Sequence, residues 1–156
     1  MGPRRVVTGT NGAGRSFVES DGDAGAVPGF AELWVASARD PLVPAPVDSA
    51  DPWSRVEPPP GAVSWRIFEL PPDEVVAAYL ASRDLPEVEA SGFHRTDTLD
   101  YVLILDGEVR LELDEGAVDL RSGDCVVQRG TRHAWRNRSG RPVRMAVVMV
   151  SLSRGG

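Results

Sequence analysis

Lysine is absent from this chain of 156 residues, and all 17 basic side chains are arginine. Schiff-base chemistry and a lysine general base are thereby excluded. The lone cysteine, Cys125, rules out an internal disulfide and fits a reducing compartment. Its apolar neighbours predict a small buried hydrophobe. Basic charge is outnumbered by 23 acidic groups, for a formal net charge of -6. A nucleic-acid partner, which calls for a basic footprint, is not expected. No apolar run is long enough to span a bilayer, and Met1-Gly-Pro-Arg-Arg5 opens onto no signal-type segment. A cytoplasmic protein with no membrane partner is the expectation. Histidine is nearly as scarce as cysteine, with only His94 and His133.

What is present fits one domain with a core large enough to fold unaided. Residues 1–62 read as an N-terminal β-extension followed by a strap. Arg5–Thr8 and Ser16–Glu19 flank Asn11-Gly12, a strong hairpin signal, and Glu32–Ala36 adds a third short strand. From Asp40 to Gly61 the chain is rich in proline, which cannot donate to a ladder, so this stretch is expected to wrap the surface in extended form, pinned by Trp53. Residues 63–156 form the body. Val63–Leu70 alternates as a half-buried strand does. Pro71-Pro-Asp-Glu74 opens a short helix to about Ser82 with an apolar stripe at Val75, Val76, Tyr79 and Leu80. After a polar loop from Arg83 to Ser91, strands recur at short intervals: 94–105, 108–114, 117–120, 125–128, 133–137 and 143–152. Glycine turns separate them, as in an all-β antiparallel sandwich or barrel with one short helix.

Alternation along a regular 94–105 strand places His94, Thr96, Thr98, Asp100, Val102 and Ile104 on one face, pointing inward. Tyr101, Leu103 and Leu105 on the other face are too apolar for solvent and must be covered by the N-terminal extension or a second subunit, and the last strand is apolar on both faces. A homodimer built through sheet faces is the reading this pattern supports.

The histidines lie in Gly92-Phe-His-Arg-Thr-Asp-Thr-Leu-Asp100 and Gly130-Thr-Arg-His-Ala-Trp-Arg-Asn137. Together with Gly107 and Gly123 these segments resemble the two signature motifs of the cupin superfamily. In the first motif, G-x5-H-x-H-x3,4-E-x6-G, His94 takes the first histidine, Thr96 the second, Asp100 the glutamate, and Gly107 closes. In the second, G-x2-H-x3-N is met by Gly130, His133 and Asn137. Its opening glycine is Gly123, the strand between is one residue short, and Gln128 stands where proline is common. The resemblance covers residues 63–152 and implies a cupin-type jelly-roll barrel. It also implies a divalent metal held by the motif positions. Here that set is depleted to His94, Asp100 and His133, with Thr96 in place of a histidine and a carboxylate one methylene shorter. Two imidazoles and a carboxylate suit iron(II) best, and also zinc, manganese or nickel.

Each site residue has a plainer alternative. His94 and His133 are metal ligands, or one is the general base of a metal-free enzyme, or both are structural. Asp100 is a ligand or acid–base group, or a buried aspartate satisfied by threonine hydroxyls. Thr96 orients a bound water or substrate oxygen, or is a packed strand threonine. Trp135 is a pocket wall or core. Gln128 and Arg129 sit at the expected cavity rim as substrate contacts. Asn137 organises a turn. Arg132, Arg136, Arg138, Arg141 and Arg144 are read as a solvated face rather than an anion site. The leading functional expectation is a small metal-dependent enzyme of secondary metabolism that oxidises, decarboxylates, dehydrates or cyclises an organic metabolite, with catalytic roles for Asp100, Thr96 and His133. The alternatives are a metal-free lyase or dehydratase and a non-catalytic ligand-binding barrel.

Overall fold

The computed structural model describes residues 2–25, 30–37, 39, 56–82 and 88–153. The expected strap from Asp40, including Trp53, lies mostly outside the described residues, as do residues 83–87 of the expected loop. Strands β1 (Arg4–Thr10) and β2 (Ser16–Asp23) pair into a separate two-stranded sheet. β3 (Phe30–Ser37), β4 (Ala62–Leu70), β5 (Thr98–Asp106), β8 (Cys125–Arg129) and β10 (Val143–Ser151) form one antiparallel sheet in the order β3-β4-β10-β5-β8. β6 (Glu108–Leu113), β7 (Ala117–Arg121) and β9 (His133–Arg136) form the third, in the order β7-β6-β9. The third short strand of the extension is therefore an edge of the main sheet, paired to β4.

The two larger sheets share one core. Leu70 from β4, Val102 and Ile104 from β5, Val143 and Met145 from β10 and Val109 from β6 pack together, with Leu120 and Trp135 against them. Alternation drives this: in β5 the buried Thr98, Asp100, Val102 and Ile104 are separated by the exposed Tyr101, Leu103 and Leu105. The β5–β6 turn passes through Gly107 at φ 97°, and a Cβ there would stand 2.9 Å from Val143 Cγ2. Both the backbone conformation and the close approach require glycine.

The helix forms where expected, as α1 (Asp73–Ala81), with Asp73 and Glu74 in its first turn facing the positive end of its dipole. Only part of its expected stripe is used: Val76 packs against the core, whereas Val75 and Tyr79 are exposed. Outside the main sheet, Trp65, Val148, Tyr101 and Val127 stand opposite one another across β4, β10, β5 and β8. Cys125 lies on this outer side, opposite Leu103, and is exposed. The expectation of a buried thiol is thus corrected: its neighbour Val126 takes the inward position and alternation turns Cys125 out.

Candidate functional site

His94 does not begin a regular strand. It forms an isolated bridge to His133, with His94 N donating to His133 O at 2.9 Å and His133 N donating to His94 O at 3.0 Å. The chain then crosses from the β9 side to the main sheet, where β5 starts at Thr98. This crossing corrects the expectation of one strand from 94 to 105. It also separates residues that simple alternation had put on one face.

The bridge stacks the two imidazoles with centroids 4.3 Å apart and planes inclined by 54°. His94 Nδ1 is 3.2 Å from Gly92 O, and His133 Nδ1 is 2.9 Å from Thr131 O. A carbonyl only accepts, so each neutral ring carries its proton on Nδ1 and keeps a lone pair on Nε2. Both rings are held below the usual histidine range. For His133 the causes are burial and then the neighbouring His94, which bring it to about 4. Burial alone lowers His94, opposed by its bond to Gly92. Both are therefore neutral at neutral pH. Trp135, two residues along β9, meets His133 edge-on at 6.1 Å and packs against the core.

The segment bearing His94 is clamped to the barrel by side chains not expected to matter. The Arg132 guanidinium donates to both oxygens of Glu89 at 2.8 and 2.7 Å and to Asp114 at 2.5 Å, and lies 4.2 Å over the Phe93 ring. Arg136 donates to Ser91 O and to Glu112, both at 2.7 Å, and lies 5.5 Å from the same ring. Arg138, Arg141 and Arg144 also face carboxylates, those of Glu112, Asp106 and Glu69. That arrangement agrees with a solvated, ion-paired face. The detectable signal was that Arg132 and Arg136 alternate with His133 and Trp135.

Asp100 stands on the other sheet, opposite Gln128 of β8 and Met149 of β10. The residue is buried, with 6% of its surface exposed. Thr98 hydrogen-bonds the carboxyl, and Thr98 Oγ1 lies 2.7 Å from Thr96 Oγ1, whereas Asp100 Oδ1 has no partner. Burial raises the carboxyl pKa, opposed by Thr98 and by the charge of Arg66. Arg66 was not anticipated. It is buried with Glu32 and Ser64, donating from Nε to Ser64 Oγ at 2.6 Å and from Nη1 to Val56 O at 2.8 Å, with Nη2 3.3 Å from Glu32 Oε2. Two polar residues at inward positions of β4 were its signal in the sequence.

Of the expected pocket contacts, Gln128 is buried and donates to Thr131 Oγ1 at 2.6 Å. Arg129 is exposed, as alternation after Gln128 dictates. The expected three-residue metal set does not assemble. Among the described residues no three of histidine, cysteine, aspartate and glutamate are grouped to hold an ion. The histidines offer two open nitrogens, but Asp100 belongs to the main sheet and its carboxyl is engaged by Thr98. This donor set does not fit a protein-held three-ligand centre.

Residues 83–150 match the family model of the cupin domain (Cupin_2). Phomopsin biosynthesis cluster protein C′ of Diaporthe leptostromiformis is 57% identical over 47 residues, 30% of this chain and 25% of that protein. The cupin-domain-containing oxidoreductase virC of Hypocrea virens is 41% identical over 64 residues, 38% of this chain and 33% of that protein. The chain thus matches only a quarter to a third of the length of these relatives. A Cupin 2 conserved barrel domain protein from Salinispora arenicola, 20% identical, aligns over 65% of this chain and 71% of its own with a TM-score of 0.42. The stretch that resembles the cupin domain, residues 83–150, is less than half of the chain, and the two antiparallel sheets around one core agree with that likeness.

Proposed function

We propose that this protein is a small enzyme of secondary metabolism that acts on an organic metabolite inside the barrel, with the His94–His133 pair moving protons. The observation that carries the reading is that both Nδ1 atoms are committed to backbone carbonyls while both rings are neutral, leaving two Nε2 lone pairs to accept a substrate proton. The rings are in contact, so charge on one opposes charge on the other and the pair takes up one proton at a time. Thr96 and Thr98 fix Asp100 on the facing sheet, where it orients the substrate. A lyase or dehydratase, removing a proton and expelling a leaving group, is the reaction class that needs no more than these groups. The setting in secondary metabolism is supported by the biosynthesis-cluster names of the relatives.

A metal-dependent oxidoreductase is the second reading, favoured by the name of the Hypocrea virens relative. In it His94 and His133 would supply two ligands to iron(II), or to zinc, manganese or nickel, and the metal would polarise a substrate oxygen. We also propose a homodimer through the outer face of the main sheet, where Trp65, Tyr101 and Val127 are exposed in one row with Val148.

Metal analysis of protein purified without a histidine tag separates the two readings. Acid–base chemistry predicts far less than one metal per chain, even after anaerobic incubation with iron(II). One iron or zinc per chain, lost in both His94→Ala and His133→Ala, moves the conclusion to the second reading.

A further inference from the structure

The barrel interior is rich in acceptors and poor in free donors. Asp100 Oδ1 is buried with no partner, an arrangement that is costly unless a donor arrives. On the other sheet, with Nδ1 of His94 and of His133 committed to backbone carbonyls, each Nε2 keeps a lone pair. The buried cation in this half of the barrel, Arg66, is already engaged by Glu32, Ser64 and Val56 O. The Gln128 amide donates to Thr131. Among the described residues the buried Arg66 is paired with Glu32, and it acts on Asp100 only through its charge, without a hydrogen bond. Such a lining rejects a carboxylate or phosphate, which would bring more acceptors and more negative charge into a buried space.

We propose that Asp100 is a substrate-binding residue whose orphan Oδ1 accepts from a hydroxyl of an uncharged, hydroxyl-bearing ligand, such as a phenol or polyol, held between Asp100 and the histidine pair. The Thr96–Thr98 hydroxyl chain supports this role by holding the carboxyl from its other side and leaving Oδ1 turned to the ligand. Trp135, edge-on to His133, offers an aromatic wall beside it. This assignment names the substrate class for the acid–base enzyme proposed above and rests on that reading.

The test uses catechol as the probe, a flat ring with two adjacent hydroxyl donors. Its dimethyl ether has nearly the same shape and no donor, and benzoate carries a negative charge. Titrations followed by calorimetry or amide NMR are run in EDTA, so that catechol meets side chains and no metal. Catechol is expected to bind at millimolar concentration, with the ether and benzoate weaker by about tenfold or more. Asp100→Asn, checked for folding by its melting temperature, is expected to lose about tenfold for catechol and little for the ether. The comparison of ligands on the unaltered protein stands even if that variant fails to fold. No catechol binding, equal affinity for the ether, preference for benzoate, or unchanged affinity in a folded Asp100→Asn protein would each overturn the assignment. A stoichiometric metal on the histidines would end the acid–base reading, whereas these titrations decide the role of Asp100 separately.

Discussion

His133 couples the site to the stability of the fold. In the unfolded chain its ring titrates at the ordinary 6.5, and in the barrel at about 4. Between those values the unfolded chain holds a proton that the folded protein has shed. The contribution is therefore whole above pH 6.5 and is lost as pH falls toward 4, by up to about 1.4 kcal/mol per pH unit. Asp100 has the opposite sign: its raised pKa favours the folded protein on the acid side. Urea unfolding at pH 7 and pH 5 should show a loss in the unaltered protein that shrinks in His133→Gln; an equal loss in both would contradict this origin. Asn137, fully buried, is a second residue at which backbone is satisfied by a side chain. It donates to Leu70 O and Arg141 O at 2.9 and 2.8 Å and accepts from Ser139 N at 3.0 Å. Asn137→Ala leaves those carbonyls unpaired, and denaturant curves should show about 2–3 kcal/mol less stability.

The elements differ in how legible they were. Helix α1 and the strands from β6 to β10 follow from alternation and glycine turns close to their observed bounds. The start of β5 did not, because a period-2 pattern carries no mark for the point where a chain leaves one sheet for the other. His94 and Asp100 keep the parity of one strand, yet one bridges to β9 and the other lies in the main sheet. Parity also explains Arg129 and Cys125, whose neighbours Gln128 and Val126 hold the inward positions. The 88–94 segment is an element held by charges, with Arg132 on Glu89 and Asp114. Exposed pairs of this kind add little to stability because solvent screens them. Arg132→Ala should thus barely change global stability while hydrogen exchange at residues 88–94 speeds up; unchanged exchange there would remove Arg132 from the clamp.

For the molecule as a whole, the motif resemblance led to the correct fold, since the glycines mark turns, as Gly107 at φ 97° does, and the strands between them pair into antiparallel sheets. The resemblance did not carry the ligand set with it, because a shortened carboxylate on the facing sheet is a matter of three-dimensional reach. The outer apolar row of the main sheet belongs to this scale. Sedimentation should give a dimer, and Tyr101→Glu, at an exposed position, should shift it to monomer without loss of fold. A monomeric unaltered protein would contradict the interface. Among the described residues no helix is long and apolar enough to cross a membrane.

The central claim is that two neutral imidazoles hold their protons on Nδ1 and keep their Nε2 lone pairs for a substrate proton. Long-range proton–nitrogen NMR of the two side chains reads this directly. The account predicts Nδ1–H tautomers for both rings at pH 7, with His133 remaining neutral until the pH approaches 4. A proton on Nε2 of either ring, or titration of His133 near 6.5, would contradict it.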